Sequence, residues 1–310
     1  EVPFPQCHEI QDGLDRYFVK TSEHLRKWFF GEVIENTESK VVSTWNLTTI
    51  EMRDILLREK WGEGIYRRYL LVDQTRSHGQ DVSHNIIWAQ DKKDPNDKTR
   101  ILHEKLDPVH FESVKKNEIF QRFNKSKEEQ KELTKKNAEV FTPLDIVKLQ
   151  NDLIDKRYES DTLTTYVNRT WLEMACGEAP YMVSRYHMQA NDSKHIKKGD
   201  PIILENRQGF IDRKLQKINQ LIDEMDVWQG LVKCAYKASY GFEWSGDSLL
   251  LARENLLFSY IDYFIHKWNT FPSRKYIENI AYIISHNVFQ MDGRTKNIPW
   301  LTKDETIQKD

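Results

Sequence analysis

Strand-like and helix-like patterns alternate over the second half of the chain. Short apolar runs typical of strands lie at residues 170–175, 240–244 and 287–291, and amphipathic helix patterns fill the intervals between them. Parallel strands need a long crossover connection, which is usually a helix. The alternation therefore predicts an α/β fold, in which helices cover both faces of a mostly parallel sheet.

The expected helices carry recognisable start signals. Thr142 is expected to cap a helix that has Pro143 in its first position, because a threonine hydroxyl satisfies a free amide and proline has no amide hydrogen to satisfy. Pro180 is expected to open another helix directly after the first strand. Asp247 and Ser273 are the expected caps of two later helices. The helix that begins near Thr142 has apolar residues at helical spacing, namely Ile146, Val147, Leu149, Leu153 and Ile154.

The first part of the chain has a different character. Residues 1–130 mix short strand-like and polar patterns without a repeat, and a charged run over 111–137 is typical of a solvated helix or a linker. We therefore place a domain boundary near residue 130. This boundary predicts a smaller mixed α+β N-terminal region, 1–130, of unassigned role, followed by an α/β domain over 131–310.

Charge and cysteine content exclude several classes of protein. The chain has 46 lysines and arginines against 48 aspartates and glutamates, so its net charge of −2 excludes a polybasic protein. Three scattered cysteines without a Cys-x-x-Cys pair indicate a reducing, cytoplasmic location and no zinc site. No apolar run approaches the roughly 20 residues that span a bilayer, so no membrane partner is expected. A candidate patch for DNA phosphates, or alternatively a solvated insertion, consists of Lys194, Lys197, Lys198, Arg207, Arg213 and Lys214.

Polar and small residues gather where the expected parallel strands end, which is where α/β sheets bind ligands. The first strand ends in Ala175, Cys176 and Gly177, just before the helix expected at Pro180. Small residues let a ligand approach the backbone, and a helix N-terminus attracts a carboxylate such as that of an amino acid.

The second strand ends in an acid followed by an aromatic residue. Glu243 is expected to accept the hydroxyl hydrogens of a ribose. Trp244 is expected either to lie against an adenine ring or to be a core residue. The upstream helix is expected to bring Phe141 over the same pocket. An amino-acid end, a ribose and an aromatic base are the three parts of S-adenosylmethionine.

Two motifs give this site a specific resemblance. Residues 138–143 read Ala-Glu-Val-Phe-Thr-Pro, and residues 172–181 read Leu-Glu-Met-Ala-Cys-Gly-Glu-Ala-Pro-Tyr. Together with the stretch 240–257, they resemble the Rossmann-like cofactor region of adenine-specific DNA methyltransferases of restriction–modification systems. The chain departs from the family pattern at Met174, where proline is usual, and at Ala179, where a second glycine is common.

The resemblance implies a set of roles. It implies that Phe141, Thr142 and Pro143 border the cofactor, that Glu173, Ala175, Cys176 and Gly177 line its methionine side, and that Glu243 holds its ribose. It also implies DNA as the substrate and a restriction or specificity subunit as a possible partner.

The family's catalytic tetrapeptide, Asn/Asp-Pro-Pro-Tyr/Phe, does not occur in the sequence. Its amide and carbonyl oxygens hold the amine of a flipped adenine, and its aromatic ring stacks on the base. The nearest segment is 297–300, with Asn297, Pro299 and Trp300 as catalytic candidates and a surface loop as the alternative. We expect the catalytic strand to lie beyond Asp310 in a longer relative. The chain is then either the methyltransferase or a catalytically incomplete module that binds S-adenosylmethionine or DNA.

Overall fold

The computed structural model describes residues 142–190, 195–293 and 295–298, together with shorter stretches and single positions between residues 52 and 135. All of them belong to the compact unit Thr48–Asp310. The expectations for residues 1–50, and for Phe141, Pro299 and Trp300, lie outside the described residues.

The continuous part of the described chain alternates between helices and strands. The elements are α1 (Leu144–Asp155), α2 (Leu163–Val167), β1 (Trp171–Met174), α3 (Phe210–Leu221), α4 (Met225–Lys237), β2 (Ser239–Glu243), α5 (Gly246–Trp268), α6 (Arg274–Asn287) and β3 (Val288–Gln290). Short 3-10 turns occur at Arg122–Asn124, Lys156–Tyr158 and Leu204–Asn206, and a helical turn Glu63–Ile65 runs into a π-helix, Tyr66–Leu70.

The three strands form one small open sheet in the order β1-β2-β3, and both strand pairs are parallel. Helices α3 and α4 connect β1 to β2, and helices α5 and α6 connect β2 to β3. Trp171 pairs with Ser239, and Gly241 pairs with Val288. The α/β prediction is therefore confirmed for a three-stranded parallel sheet surrounded mostly by helices.

The two faces of the sheet differ in their cover. On one face of β1, Trp171 and Glu173 are buried, and the ring of Trp171 stacks on Phe210 of α3 at 4.9 Å. On the other face, Leu172 and Met174 are 54% and 68% exposed. The sequence-based expectation of helices on both faces is therefore not met at β1.

Helix α5 forms the centre of the core. All its residues from Gly246 to Ile265 are buried, so this part of the helix has no solvent-exposed face. It contacts α3, α6, β2 and β3, so it has neighbours on every side. Its buried charged residues Arg253, Glu254 and Asp262 all have partners inside the protein.

Two adjacent charges of α5 bind the earlier stretch of the chain. The Arg253 guanidinium donates to the carbonyl oxygens of Leu70 and Val72, at 2.7 and 2.8 Å, and to that of Val288 in β3. The Glu254 carboxylate accepts hydrogen bonds from Arg53 and from the hydroxyl of Tyr66. These residues before position 73 are therefore anchored to the core of the α/β unit.

The helix starts agree with the sequence in part. Ser273 caps α6 by accepting a hydrogen bond from the amide of Tyr276, as expected. The expected cap at Thr142 is wrong, because α1 begins at Leu144 with Pro143 as its N-cap. Helix α5 begins at Gly246, and its Asp247 accepts from the amide of Ser248. The helix expected at Pro180 is absent, since the described residues there form turns.

Among the described residues, no helix combines the length and hydropathy needed to cross a bilayer.

Candidate functional site

A cavity of about 520 Å³ runs along β1 to the carboxyl ends of β1 and β2. It gathers sequence-predicted residues from three separate segments of the chain. These are Thr142, which precedes α1, Glu173, Ala175, Cys176 and Gly177 at the end of β1, and Glu243 at the end of β2. The carboxyl ends of parallel strands meet at one edge of a sheet, which explains why the last two segments come together.

The turn after β1 has an unusual backbone. Ala175, Gly177 and Ala179 all have left-handed φ values, of 49°, 55° and 61°. Glycine adopts this region at little cost, whereas each alanine pays roughly 1 kcal/mol or more. No atom lies within 4 Å of a Cβ built on Gly177, so the space beside it is open. A tight turn with open space is a place where a ligand can approach the backbone closely.

Glu243 holds this turn against β2. One of its carboxylate oxygens accepts from the amide of Gly177 at 2.8 Å, and the other accepts from the amides of Trp244 and Ser245, each at 3.0 Å. Glu243 is thus a lining residue of the cavity, and its carboxylate also has a structural role in holding the turn against β2.

Glu173 explains the missing helix at Pro180. Its buried carboxyl accepts from the amide of Tyr181 at 3.2 Å and from that of Met182 at 3.0 Å. Burial raises the pKa of this carboxyl to about 8, although the two backbone hydrogen bonds act in the opposite direction. The backbone amides that were expected to bind a ligand carboxylate at a helix N-terminus are thus occupied by a side chain of the protein itself.

The buried carboxyl makes stability depend on pH. Between about pH 4.5 and 8, the folded protein keeps a proton on Glu173 that the unfolded chain releases. The free energy of unfolding therefore falls as pH rises through this window, by up to about 1.4 kcal/mol per pH unit.

Glu173→Gln should flatten this dependence of unfolding free energy on pH, because glutamine does not titrate. Urea unfolding at several pH values measures the slope, with Glu205→Gln as the exposed control. Equal slopes for wild type and Glu173→Gln would contradict the assignment.

Two basic residues of the cavity, Arg122 and Lys125, were not predicted from the sequence. The backbone amide of Arg122 donates to Glu178 at 2.6 Å, and the Lys125 ammonium lies 3.9 Å from Asp247. Both belong to the charged run that was interpreted as a solvated helix or linker. The sequence contains one sign that this segment packs against the protein, namely Phe123, an aromatic residue inside the charged run. Its ring lies 5.2 Å from that of Tyr186.

The remaining lining consists of apolar and aromatic residues together with the polar residues Gln150, Asn151, Glu178 and Ser248. Trp171, Leu172 and Met174 of β1 contribute one side, and Ile154 of α1 and Phe210 of α3 contribute others. The hydroxyl of Tyr181 donates to Gln150 of α1, which closes this part of the wall. The cavity thus combines a polar end at the strand termini with an apolar side along β1.

Several predicted residues are not brought into the cavity. Pro143 and the half-buried Trp244 are not among its lining residues. Asn297 lies in an exposed turn, where its carbonyl accepts from the amide of Asp292 at 2.8 Å. No strand precedes it within residues 291–293 and 295–296. Asn297 is therefore not one of the residues that line the cavity, and the described structure gives no support for its predicted catalytic role.

The candidate patch for DNA phosphates does not form one basic surface. Arg207, Arg213 and Lys214 are buried or nearly so. Arg207 pairs with Asp262, and the Lys214 ammonium donates to the carbonyl of Arg169, with a pKa lowered to about 7 by burial. Lys197 and Lys198 are exposed, and Lys194 lies outside the described residues.

Comparison with protein-family models, with curated protein sequences and with solved structures gives no match. Within the described residues, no group of histidine, cysteine, aspartate and glutamate side chains is arranged to hold a metal ion.

Proposed function

We propose that this chain is a site-specific DNA adenine-N6 methyltransferase of a restriction–modification system, or its cofactor-binding part, with a Rossmann-like S-adenosylmethionine site. The observation that carries the proposal is the single cavity that gathers Thr142, the turn after β1 and Glu243. The motif order of the sequence supports the same ligand. We also propose DNA as the partner, together with a restriction or specificity subunit, and a cytoplasmic location.

The lining residues suit the parts of this cofactor. The open space beside Gly177 accommodates the amino-acid end close to the backbone. The carboxylate of Glu243 lies at the polar end of the cavity, where it suits ribose hydroxyls as donors, and the aromatic residues Tyr181 and Phe210 offer contact surface for a base. S-adenosylmethionine supplies an activated methyl group, so the protein mainly orients the reactants and excludes water.

A second candidate function is a module that binds S-adenosylmethionine or DNA without transferring methyl. Two observations favour it: the catalytic tetrapeptide is absent from the sequence, and Asn297 is exposed in a turn away from the cavity lining. In this case methyl transfer would need a further segment that carries the missing tetrapeptide.

Calorimetry with S-adenosylmethionine, combined with tritium transfer to unmethylated DNA, tests both functions. We expect binding, and we expect Glu243→Gln to weaken it by roughly ten- to a hundredfold, the value of one or two hydrogen bonds to a charged group. Glu205→Gln, which removes an exposed carboxylate outside this cavity, is the matched control.

The outcomes separate the candidates. Binding with transfer to DNA supports the methyltransferase, and binding without transfer supports the module. Transfer to RNA or protein assayed in parallel would redirect the substrate assignment, since the fold alone does not define the substrate. Absence of any S-adenosylmethionine binding would refute the methyltransferase and the S-adenosylmethionine-binding module, and would leave DNA binding as the module's remaining function.

A further inference from the structure

Three carboxyl groups lie among the described residues that line the cavity, at Glu173, Glu178 and Glu243. Those of Glu173 and Glu243 already accept from backbone amides through both of their oxygens. In Glu178, one oxygen accepts from the amide of Arg122 at 2.6 Å, and the other has no hydrogen-bond partner among the described residues. Because the Glu178 side chain is half-buried and lines the cavity, this second oxygen is open to a ligand.

The surroundings of Glu178 favour a positive group beside it. Burial raises the pKa of this carboxyl to about 7, although the hydrogen bond from Arg122 and the charge of Lys125 act in the opposite direction. The nearby carboxylate of Asp247 acts in the same direction as burial. A ligand cation next to the open oxygen would stabilise the charged form of Glu178. This position therefore suits an ammonium group better than a neutral one.

Lys125 brings a positive charge to the same end of the cavity. Its ammonium lies 3.9 Å from the carboxylate of Asp247, which is beyond hydrogen-bond distance, and the described residues offer it no closer acceptor. Its charge acts on the carboxyl of Glu178, and both side chains line the cavity. A ligand carboxylate at this end would therefore meet an ammonium group that can donate to it.

Contacts within its own segment hold Lys125 at the cavity. The side-chain amide of Gln130 donates to the carbonyls of Arg122 and Lys125, at 2.9 and 2.8 Å. The ring of Phe123 packs against Gly199 so closely that a Cβ at this glycine would lie 2.9 Å from it. The two charges are therefore arranged before a ligand arrives, which lowers the ordering cost of binding.

We propose that Glu178 and Lys125 together bind a free amino-acid end of the ligand. The open oxygen of Glu178 accepts from the α-ammonium group, and the Lys125 ammonium pairs with the α-carboxylate. This inference rests on the proposed function and deepens it, since it adds two residues to which the resemblance assigns no role. The open space beside Gly177, the neighbour of Glu178 in the chain, provides room for this end of the ligand.

Calorimetry with four adenosine ligands tests the proposal. S-adenosylhomocysteine and 5′-methylthioadenosine are both uncharged at sulfur, and only the former has the amino-acid end. S-adenosylmethionine and its decarboxylated form differ only in the α-carboxylate. We expect the wild-type chain to bind the first member of each pair about tenfold or more tighter than the second, because each missing group loses a hydrogen bond to a charged partner.

Two variants assign the groups. Glu178→Gln should weaken binding of S-adenosylhomocysteine by about tenfold or more and change that of 5′-methylthioadenosine by less than about twofold. Glutamine retains an oxygen that can accept from the amide of Arg122, so the fold at this contact is kept. Lys125→Met should weaken binding of S-adenosylmethionine by about tenfold or more and leave its decarboxylated form within about twofold. A purely structural effect would weaken all four ligands alike.

The controls are Glu128→Gln and Lys131→Met, which change exposed residues of the same segment that do not line the cavity, and neither should alter any affinity. Equal losses for both members of a ligand pair, or unchanged affinity for both, would overturn the role of the residue tested. Wild-type binding of S-adenosylmethionine would then still support the proposed function. Absence of that binding in wild type would instead refute the cofactor site, and this inference with it.

Discussion

Asp262→Asn should destabilise the protein more than any other single substitution considered for the α/β unit. The Asp262 carboxylate accepts from the Arg185 guanidinium at 2.9 and 3.3 Å and from that of Arg207 at 2.8 Å, and all three side chains are buried. Neutralising it leaves two buried guanidinium groups beside an uncharged amide. Removing one partner of a buried ion pair costs about 3–5 kcal/mol, which is a large part of the roughly 5–15 kcal/mol that stabilises a folded domain.

Among the described residues, Asp212 is the other carboxylate that acts electrostatically on Arg207. It already accepts from the amides of Ser184 and Gly209, at 2.7 and 3.1 Å. Burial raises the pKa of Asp212 to about 6, although Arg207 acts in the opposite direction. The Asp212 side chain is therefore held by hydrogen bonds at the start of α3 and does not take the place of Asp262.

Thermal and urea unfolding measure the effect. A loss of this size should lower Tm by roughly 6–20 °C for a unit of this length. Asp223→Asn is the matched control, because its carboxylate is 92% exposed and its ion pair with Lys267 is worth at most about 1 kcal/mol.

Replacing Arg185, Asp262 and Arg207 together with apolar residues shows whether the loss of stability in Asp262→Asn comes from unpaired buried charges or from poorer packing. The triple variant Arg185→Met, Asp262→Leu, Arg207→Met should recover part of the lost stability, since buried ion pairs are often no better than apolar residues of similar volume. A loss below about 1 kcal/mol for Asp262→Asn would show that these charges are less buried than the structure indicates.

The strands could be predicted from the sequence because their signals are local. Apolar runs at 170–175, 240–244 and 287–291 correspond to β1, β2 and β3 within one or two residues at each end. The parallel arrangement followed from the helical patterns between them. The proximity of the turn after β1 to Glu243 could also be predicted, since neighbouring parallel strands have their carboxyl ends at the same edge of the sheet.

The turns at Pro180, the exposed face of α1 and the basic residues of the cavity could not be predicted, because they depend on long-range contacts that no local sequence pattern contains. The sequence at Pro180 reads as a helix start, but the carboxyl of Glu173, seven residues earlier, binds the amides there and holds them in turns. The apolar stripe of α1 has a helical period, but a period does not tell which face is covered. Arg122 and Lys125 reach the cavity from a segment about 50 residues before β1.

Glu254→Gln should be the second most destabilising substitution, and its effect should begin in the stretch before residue 73. The Glu254 carboxylate accepts from Arg53 at 2.7 and 2.8 Å and from the hydroxyl of Tyr66 at 2.7 Å, with Arg53 and Glu254 both buried. Glutamine removes the charge and replaces one acceptor oxygen with a donor. The expected loss is about 3–5 kcal/mol for the broken buried pair.

Hydrogen exchange and unfolding measurements together locate this loss. The amides of Leu70 to Val72 should exchange faster in Glu254→Gln than in wild type, while those of β2 should follow the global stability. Glu278→Gln is the matched control, because its pair with Arg274 on α6 is partly exposed and is expected to contribute less than about 1 kcal/mol. If Glu254→Gln accelerated exchange in β2 and at Leu70 to Val72 to the same extent, the earlier stretch and the α/β core would unfold as one cooperative unit. The anchoring by Glu254 would then stabilise the whole sheet rather than a local attachment.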